Sequence, residues 1–142
     1  MQRITISTDA DTTVLYFARH GETEYNRKGI VQGSGIDSIL NETGRRQADL
    51  LGQRFSADPV DALYSSTLTR ARQTAEIVAS HLSGVARGEL DDLNEMSWGR
   101  MEGAPPSDER NRKLEHIKSK WRDGHYGHAV PGGESIIDVQ SR

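Results

Sequence analysis

The amino-acid sequence predicts an α/β fold built on a parallel sheet. A short apolar run at residues 14–18 (VLYFA) stops at Arg-His-Gly, and a second at residues 60–64 (VDALY) stops at a Ser-rich turn. A segment with helical spacing follows each run. Strand, helix, strand, helix is the order of right-handed βαβ units, in which the crossover helix makes the strands parallel.

The first run is apolar, β-branched and aromatic, which predicts a strand buried on both faces. Gly29, Gly33 and Gly35 then mark a long loop. Asn41 is a good N-cap, and Ala48, Leu51 and Phe55 repeat at helical spacing, so residues 42–56 are predicted helical. Asp58-Pro59 breaks that helix, and residues 60–64 form the second strand. Ser66 is placed to cap the next helix, with Leu68, Ala71, Ala75, Val78, Ala79 and Leu82 as its apolar face and Gly84 as its stop. Residues 85–106 carry scattered apolar groups and the breakers Gly99, Gly103, Pro105 and Pro106, and are predicted to be mostly loop. Ser107, with Asp108 and Glu109 behind it, opens a helix whose face is Leu114, Ile117 and Trp121. Pro131-Gly132-Gly133 ends that region, and residues 134–142 begin another helical pattern.

Composition sets the bounds. The chain has 142 residues, net charge −3 and a sequence pI near 5.9. That length fits one domain, 1–142, able to bury about 68–70% of its unfolded surface. Leu, Ile, Val and Phe make up just under 20% of the chain, which touches the composition boundary for disorder, but that boundary also requires a high net charge. The apolar residues are concentrated in residues 1–83, so residues 84–142 are expected to drape over the first part. No run approaches 18 apolar residues, and the first fifteen lack the apolar core of a leader peptide, so the expectation is a cytoplasmic protein without a membrane partner. The absence of cysteine excludes disulfides and thiolate metal sites. Near-balanced charge gives no basic field for nucleic acid. No His or acidic spacing matches a metal site, no Gly-rich nucleotide motif is present, and no cofactor is expected.

Three segments carry candidate chemistry. Arg19-His20-Gly21-Glu22-Thr23 lies just past a strand's C-terminal end, where open α/β sheets place ligands. Taken alone, a His there has an ordinary structural reading. Its neighbours favour a site: Arg19 supplies a planar cationic fork, Gly21 allows a ligand near the backbone, and Asn26, Gln32 and Gly33 add neutral donors. The second segment, residues 65–75, puts Arg70 and Arg72 at a helix N-terminus, the end that disfavours cations. A bound anion would resolve that conflict, so Arg70 is assigned the ligand; Arg72 reads as a solvated arginine paired with a carboxylate. The third is Glu95, beside Trp98 in a Gly-rich loop, where desolvation would suit a general acid; alone it also reads as an exposed loop carboxylate.

Taken together, the motifs RHGETEYN (19–26), VQGSGIDSILNETGRRQA (31–48), SSTLTRARQTA (65–75), LNEMSWGRMEG (93–103) and PGGES (131–135) resemble the histidine phosphatase superfamily, which includes cofactor-dependent phosphoglycerate mutase. The resemblance runs in order from Val14 almost to the end of the chain. It implies a three-layer α/β/α fold with a mainly parallel sheet, phosphoglycerate mutase-like. It implies phosphomonoester hydrolysis on a small phosphorylated metabolite. His20 would be the nucleophile that carries the phosphoryl group, Arg19 and Arg70 would neutralise its oxygens, Glu95 would be the general acid and base, and Asn26 would help hold the phosphate.

The family's second active-site His, in a His-Gly pair, lies downstream of the GGES segment, and the chain stops at Arg142. Two strong strands are also few for a parallel sheet. Both lead to the expectation of a domain incomplete at its C-terminus, with self-association through an exposed sheet edge. The alternatives are a non-catalytic fragment or pseudoenzyme that keeps a phosphate-binding loop, and phosphoglycerate mutase-type transfer.

Overall fold

A computed structural model describes residues 1–7, 12–58 and 60–142, and Pro59 lies outside them. The first apolar run forms a strand, β2 (Thr12–Phe17), whose partner is one that hydropathy does not single out, β1 (Gln2–Ser7). They pair antiparallel, from Gln2 opposite Phe17 to Ser7 opposite Thr12. Burial in β2 alternates: Val14 and Tyr16 are half-buried, while Leu15 and Phe17 are exposed. An antiparallel pair tolerates one solvated face, so the expected two-faced burial is corrected to one.

After a one-turn helix α1 (Glu24–Arg27) and a long loop, α2 runs over Glu42–Ser56, the predicted span. Asn41 caps it as expected, its Oδ1 accepting the Gly44 N–H at 2.8 Å. The buried stripe Gly44, Ala48, Gly52 and Phe55 keeps helical spacing. Phe55 meets Tyr16 edge-on with ring centroids 5.2 Å apart, which docks β2 on α2.

The second predicted strand is β3 (Ala62–Ser65), followed by α3 (Thr69–Ala79). The predicted loop at 85–106 contains a further strand, β4 (Ala86–Glu89), parallel to β3 with Ala62 opposite Ala86 and Ser65 opposite Glu89. The βαβ unit is therefore β3-α3-β4; among the described residues β2 and β3 do not pair. β4 reads Ala-Arg-Gly-Glu, too polar for a hydropathy signal, and its place comes from backbone pairing. Ser66 does not cap α3. The N-cap position is Leu68, and the cap is supplied from the loop by Asp37, which accepts the Thr69 N–H and hydroxyl, both at 2.7 Å.

Ser107 caps α4 (Asp108–Arg122) as predicted, its hydroxyl accepting the Arg110 N–H. Ile117 joins Met101 and Val130 in a small core, with Leu114, Trp121, Trp98 and Val31 packed against it. Backbone bonds from Val31 to Ala104 and from Gly103 to Val31 tie this cluster to the first part of the chain. A last helix, α5 (Ile136–Ser141), starts from Ser135 and Asp138 in a reciprocal capping box. No helix among the described residues is long and apolar enough to cross a membrane.

Candidate functional site

The segment after β2 is held between α2 and α3. The Gly21 N–H donates to Thr74 Oγ1 at 3.0 Å, and that hydroxyl donates to the Arg70 carbonyl at 2.7 Å. On the other side a Cβ on Gly21 would lie 2.3 Å from the Gly44 carbonyl oxygen, and one on Gly44 would lie 2.1 Å from that of Glu22. The close approach that Gly21 permits is thus to the backbone of α2, where the sequence suggested a ligand. The Glu22 carbonyl accepts the Asn41 N–H at 3.0 Å, and its carboxylate accepts from Asn41 Nδ2 at 2.7 Å.

His20 is half-buried, with Nδ1 2.7 Å from the Gly21 carbonyl oxygen. A carbonyl can only accept, so Nδ1 carries the proton and Nε2 keeps its lone pair. Burial pushes the imidazole pKa below its ordinary value; the Gly21 bond opposes this, and the charges of Arg70 and Arg19 add to it. The neutral form, the one able to attack an electrophile, is favoured.

Arg70 is 1% exposed. Its guanidinium donates to the carbonyls of Ile36 at 2.8 Å and Gly33 at 3.2 Å, so the loop before α2 wraps around it. Burial lowers its pKa, Glu95, Asp37 and Glu102 pull it back up, and Arg19 pushes it down. The conflict between a cation and a helix N-terminus is eased by the carboxylates of Glu95, Asp37 and Glu102, of which Asp37 also caps α3. Arg72 points elsewhere and pairs with Glu89 at 3.1 Å on the surface, as the sequence suggested.

Glu95 is exposed, so the expected desolvation beside an aromatic is not found. Trp98 packs against Trp121 in the small core, with centroids 5.9 Å apart. What brings Glu95 toward the site is its loop, since its charge acts on Arg70.

Asn26 and Gln32 surround the fully buried Thr23. Asn26 Oδ1 accepts the Thr23 N–H at 3.1 Å, while Gln32 Nε2 donates to Thr23 Oγ1 and Gln32 Oε1 accepts from Ser38. Gly33 is packed so tightly that a Cβ would lie 2.5 Å from both Glu102 Oε1 and the Met96 carbonyl oxygen. A cavity of about 430 Å³ opens beside Arg19, His20, Gly21, Asn26, Gln47 and Thr74. Gln32, Gly33, Arg70 and Glu95 do not line it. The structure therefore gathers Arg19, His20, Gly21 and Asn26 at one opening and links Arg70 and Glu95 to them through charge. Gln32 and Gly33 sit in the scaffold that holds Arg70.

Sequence reasoning missed Asp37, Thr74 and Glu102. Asp37 and Thr74 act on partners 32 and 53 residues away, beyond any local signal. Glu102 accepts the Trp98 N–H at 2.9 Å and fills the space left by Gly33 and Gly35; that pair of glycines was the one visible hint.

Comparison with known proteins shows what the chain as a whole is similar to. Fructose-2,6-bisphosphatase TIGAR B of Danio rerio is 37% identical over 134 residues, covering 92% of this chain and 50% of that protein. The phosphoglycerate mutase of Schizosaccharomyces pombe is 30% identical over 141 residues, covering 96% of this chain and 66% of that protein. A mycobacterial glucosyl-3-phosphoglycerate phosphatase solved with VO3 superposes with a TM-score of 0.73 at 29% identity, covering 86% of this chain and 56% of that one. The chain thus spans about half the length of several relatives it matches. The family model for branch 1 of the histidine phosphatase superfamily matches residues 15–142, from the middle of β2 through Arg142, and the chain belongs to that superfamily.

Proposed function

We propose that the protein hydrolyses phosphomonoesters of small soluble metabolites through a phosphohistidine at His20. The observation that carries this reading is the Nδ1 contact to the Gly21 carbonyl, which leaves Nε2 unprotonated beside two arginines. Two relatives bear the names of phosphatases for small phosphorylated sugars or sugar acids, which supports the substrate class.

In the first step the Nε2 lone pair attacks phosphorus in line, the N–P bond forms and the ester P–O bond breaks. Glu95, as the carboxylic acid, gives its proton to the departing oxygen. In the second step water attacks phosphorus, the Glu95 carboxylate takes its proton, and the N–P bond breaks to return a neutral imidazole and inorganic phosphate. Arg19 and Arg70 balance the charge on the phosphoryl oxygens in both steps, where electrostatic stabilisation supplies most of the catalysis. Asn26 adds a neutral donor at the cavity, and Gly21 fixes the backbone next to the nucleophile. Gln32 and Gly33 serve the substrate indirectly by shaping the loop around Arg70.

The test is to incubate the full-length protein with an activated phosphate donor and quench it. Acid-labile, base-stable label is expected on the wild type and none on His20→Ala. Label that persists in His20→Ala overturns the assignment.

A further inference from the structure

The PGGES motif has no place in that chemistry, yet its carboxylate is firmly engaged. Glu134 Oε2 accepts the Ser97 N–H at 2.6 Å, and the Glu134 N–H donates to the Ser97 carbonyl at 2.9 Å. Arg142, beyond α5, donates from Nε to Glu134 Oε1 at 3.1 Å, from Nη2 to the Asn94 carbonyl at 2.6 Å, and from Nη1 to the Asp92 carbonyl. One ion pair therefore holds the backbone just before Glu95 and two residues after it. The two side chains are only 20% and 26% exposed, so solvent screens them less than a surface pair.

The glycines of the motif make the approach possible. A Cβ on Gly133 would lie 2.7 Å from the Ser97 carbonyl oxygen, and one on Gly99 would lie 2.4 Å from the Gly133 nitrogen. The Arg100 N–H also bonds the Pro131 carbonyl at 3.2 Å. Glu95 itself is exposed, and its loop lies between two short 3₁₀ turns, Asp91–Leu93 and Gly99–Met101. Asn94 Nδ2 also donates to Thr67 Oγ1 at 3.2 Å, and the Ser97 hydroxyl and Trp98 N–H donate to Glu102, so the ion pair adds to these anchors on both sides of Glu95.

We propose that Glu134 and Arg142 are positioning residues that hold the 94–97 backbone so that Glu95 is presented to the leaving group. This rests on the reading of Glu95 as general acid. A misplacement of the order of 1 Å costs about 10²-fold in rate, so the arrangement of this backbone matters to the chemistry.

The experiment compares alkyl and aryl phosphates on the full-length protein, because aryl leaving groups need little protonation. Glu95→Gln is expected to lose rate chiefly on the alkyl ester. Glu134→Gln and Arg142→Ala are expected to show the same split, with about a tenfold loss on the alkyl ester, and Arg142→Lys to recover part of it. Glu134→Gln placed in the Glu95→Gln background should cost little more, because its effect passes through Glu95. Equal losses on both esters, or a full further loss in the double variant, would overturn the proposal in favour of a general stabilising role. If Glu95→Gln shows no split, the general-acid reading falls. Hydrogen exchange at the Ser97 amide then decides the clamp separately: faster exchange in Glu134→Gln supports it, and unchanged exchange overturns it.

Discussion

Gly44→Ala separates local from tertiary physics. Gly44 is the third residue of α2. In a helix, alanine is favoured over glycine by about 0.5–1 kcal/mol, so local propensity predicts a more stable protein. The structure predicts the reverse. The new Cβ would lie 2.1 Å from the Glu22 oxygen, 2.6 Å from its nitrogen and 2.9 Å from its carbonyl carbon. Ordinary carbon–oxygen contacts begin at about 3.3 Å, so the backbone at Glu22 must recede by roughly 1 Å. Overpacking of this kind costs about 1–3 kcal/mol. The Glu22 carbonyl bond to Asn41 and the Glu22 N–H bond to Gln47 would be strained as well, each worth about 0.5–1.5 kcal/mol. The net expectation is a loss of about 1–3 kcal/mol, each kcal/mol lowering the melting temperature by roughly 4 °C at a length of 142 residues. Because Gly21 and His20 move with Glu22, phosphohistidine formation should also slow, by about 10–100-fold. Thermal melts followed by circular dichroism and quenched-flow labelling measure both effects. Gly84→Ala is the control: it has open space but a φ of +70°, so it should cost about 1 kcal/mol and leave labelling intact. A Gly44→Ala protein with an equal or higher melting temperature and normal labelling would refute the argument.

Arg70→Ala should weaken vanadate binding at least tenfold, about 1.4 kcal/mol, while Arg72→Ala, which breaks only a surface pair, should change it far less. Isothermal titration compares them, and equal losses would show that the wrong arginine has been assigned to the site. Label transfer to His20 from an activated aryl phosphate should rise with pH through an apparent pKa below 6.5, because burial, Arg70 and Arg19 disfavour the imidazolium; a midpoint at or above 6.5 in rapid-quench data contradicts this. The same shift makes the unfolded chain bind more protons than the folded one just below pH 6.5. The His20 contribution to stability is therefore full above 6.5 and is lost as pH falls from there through the lower folded value, which denaturant midpoints measured across that range should show.

The sequence by itself determined the elements whose causes are local. Asn41 with its apolar stripe fixed α2 to the residue, Ser107 fixed the start of α4, and the two apolar runs located β2 and β3. It also singled out His20, Arg19, Arg70 and Glu95 as the candidates for chemistry that the proposed mechanism uses. Tertiary structure decided the rest, because each remaining feature depends on groups distant in the chain. The polar strand β4 exists through pairing with β3, and β2 is one-faced because β1 supplies its neighbour. Arg70 is buried at a helix N-terminus because the distant carboxylates of Glu95 and Asp37 oppose its charge and two loop carbonyls, 34 and 37 residues away, accept its hydrogens. Gly21 and Gly33 look the same in sequence whether they admit a ligand or a neighbouring backbone; only the packing of α2 and Glu102 against them shows that here it is the protein itself that comes close.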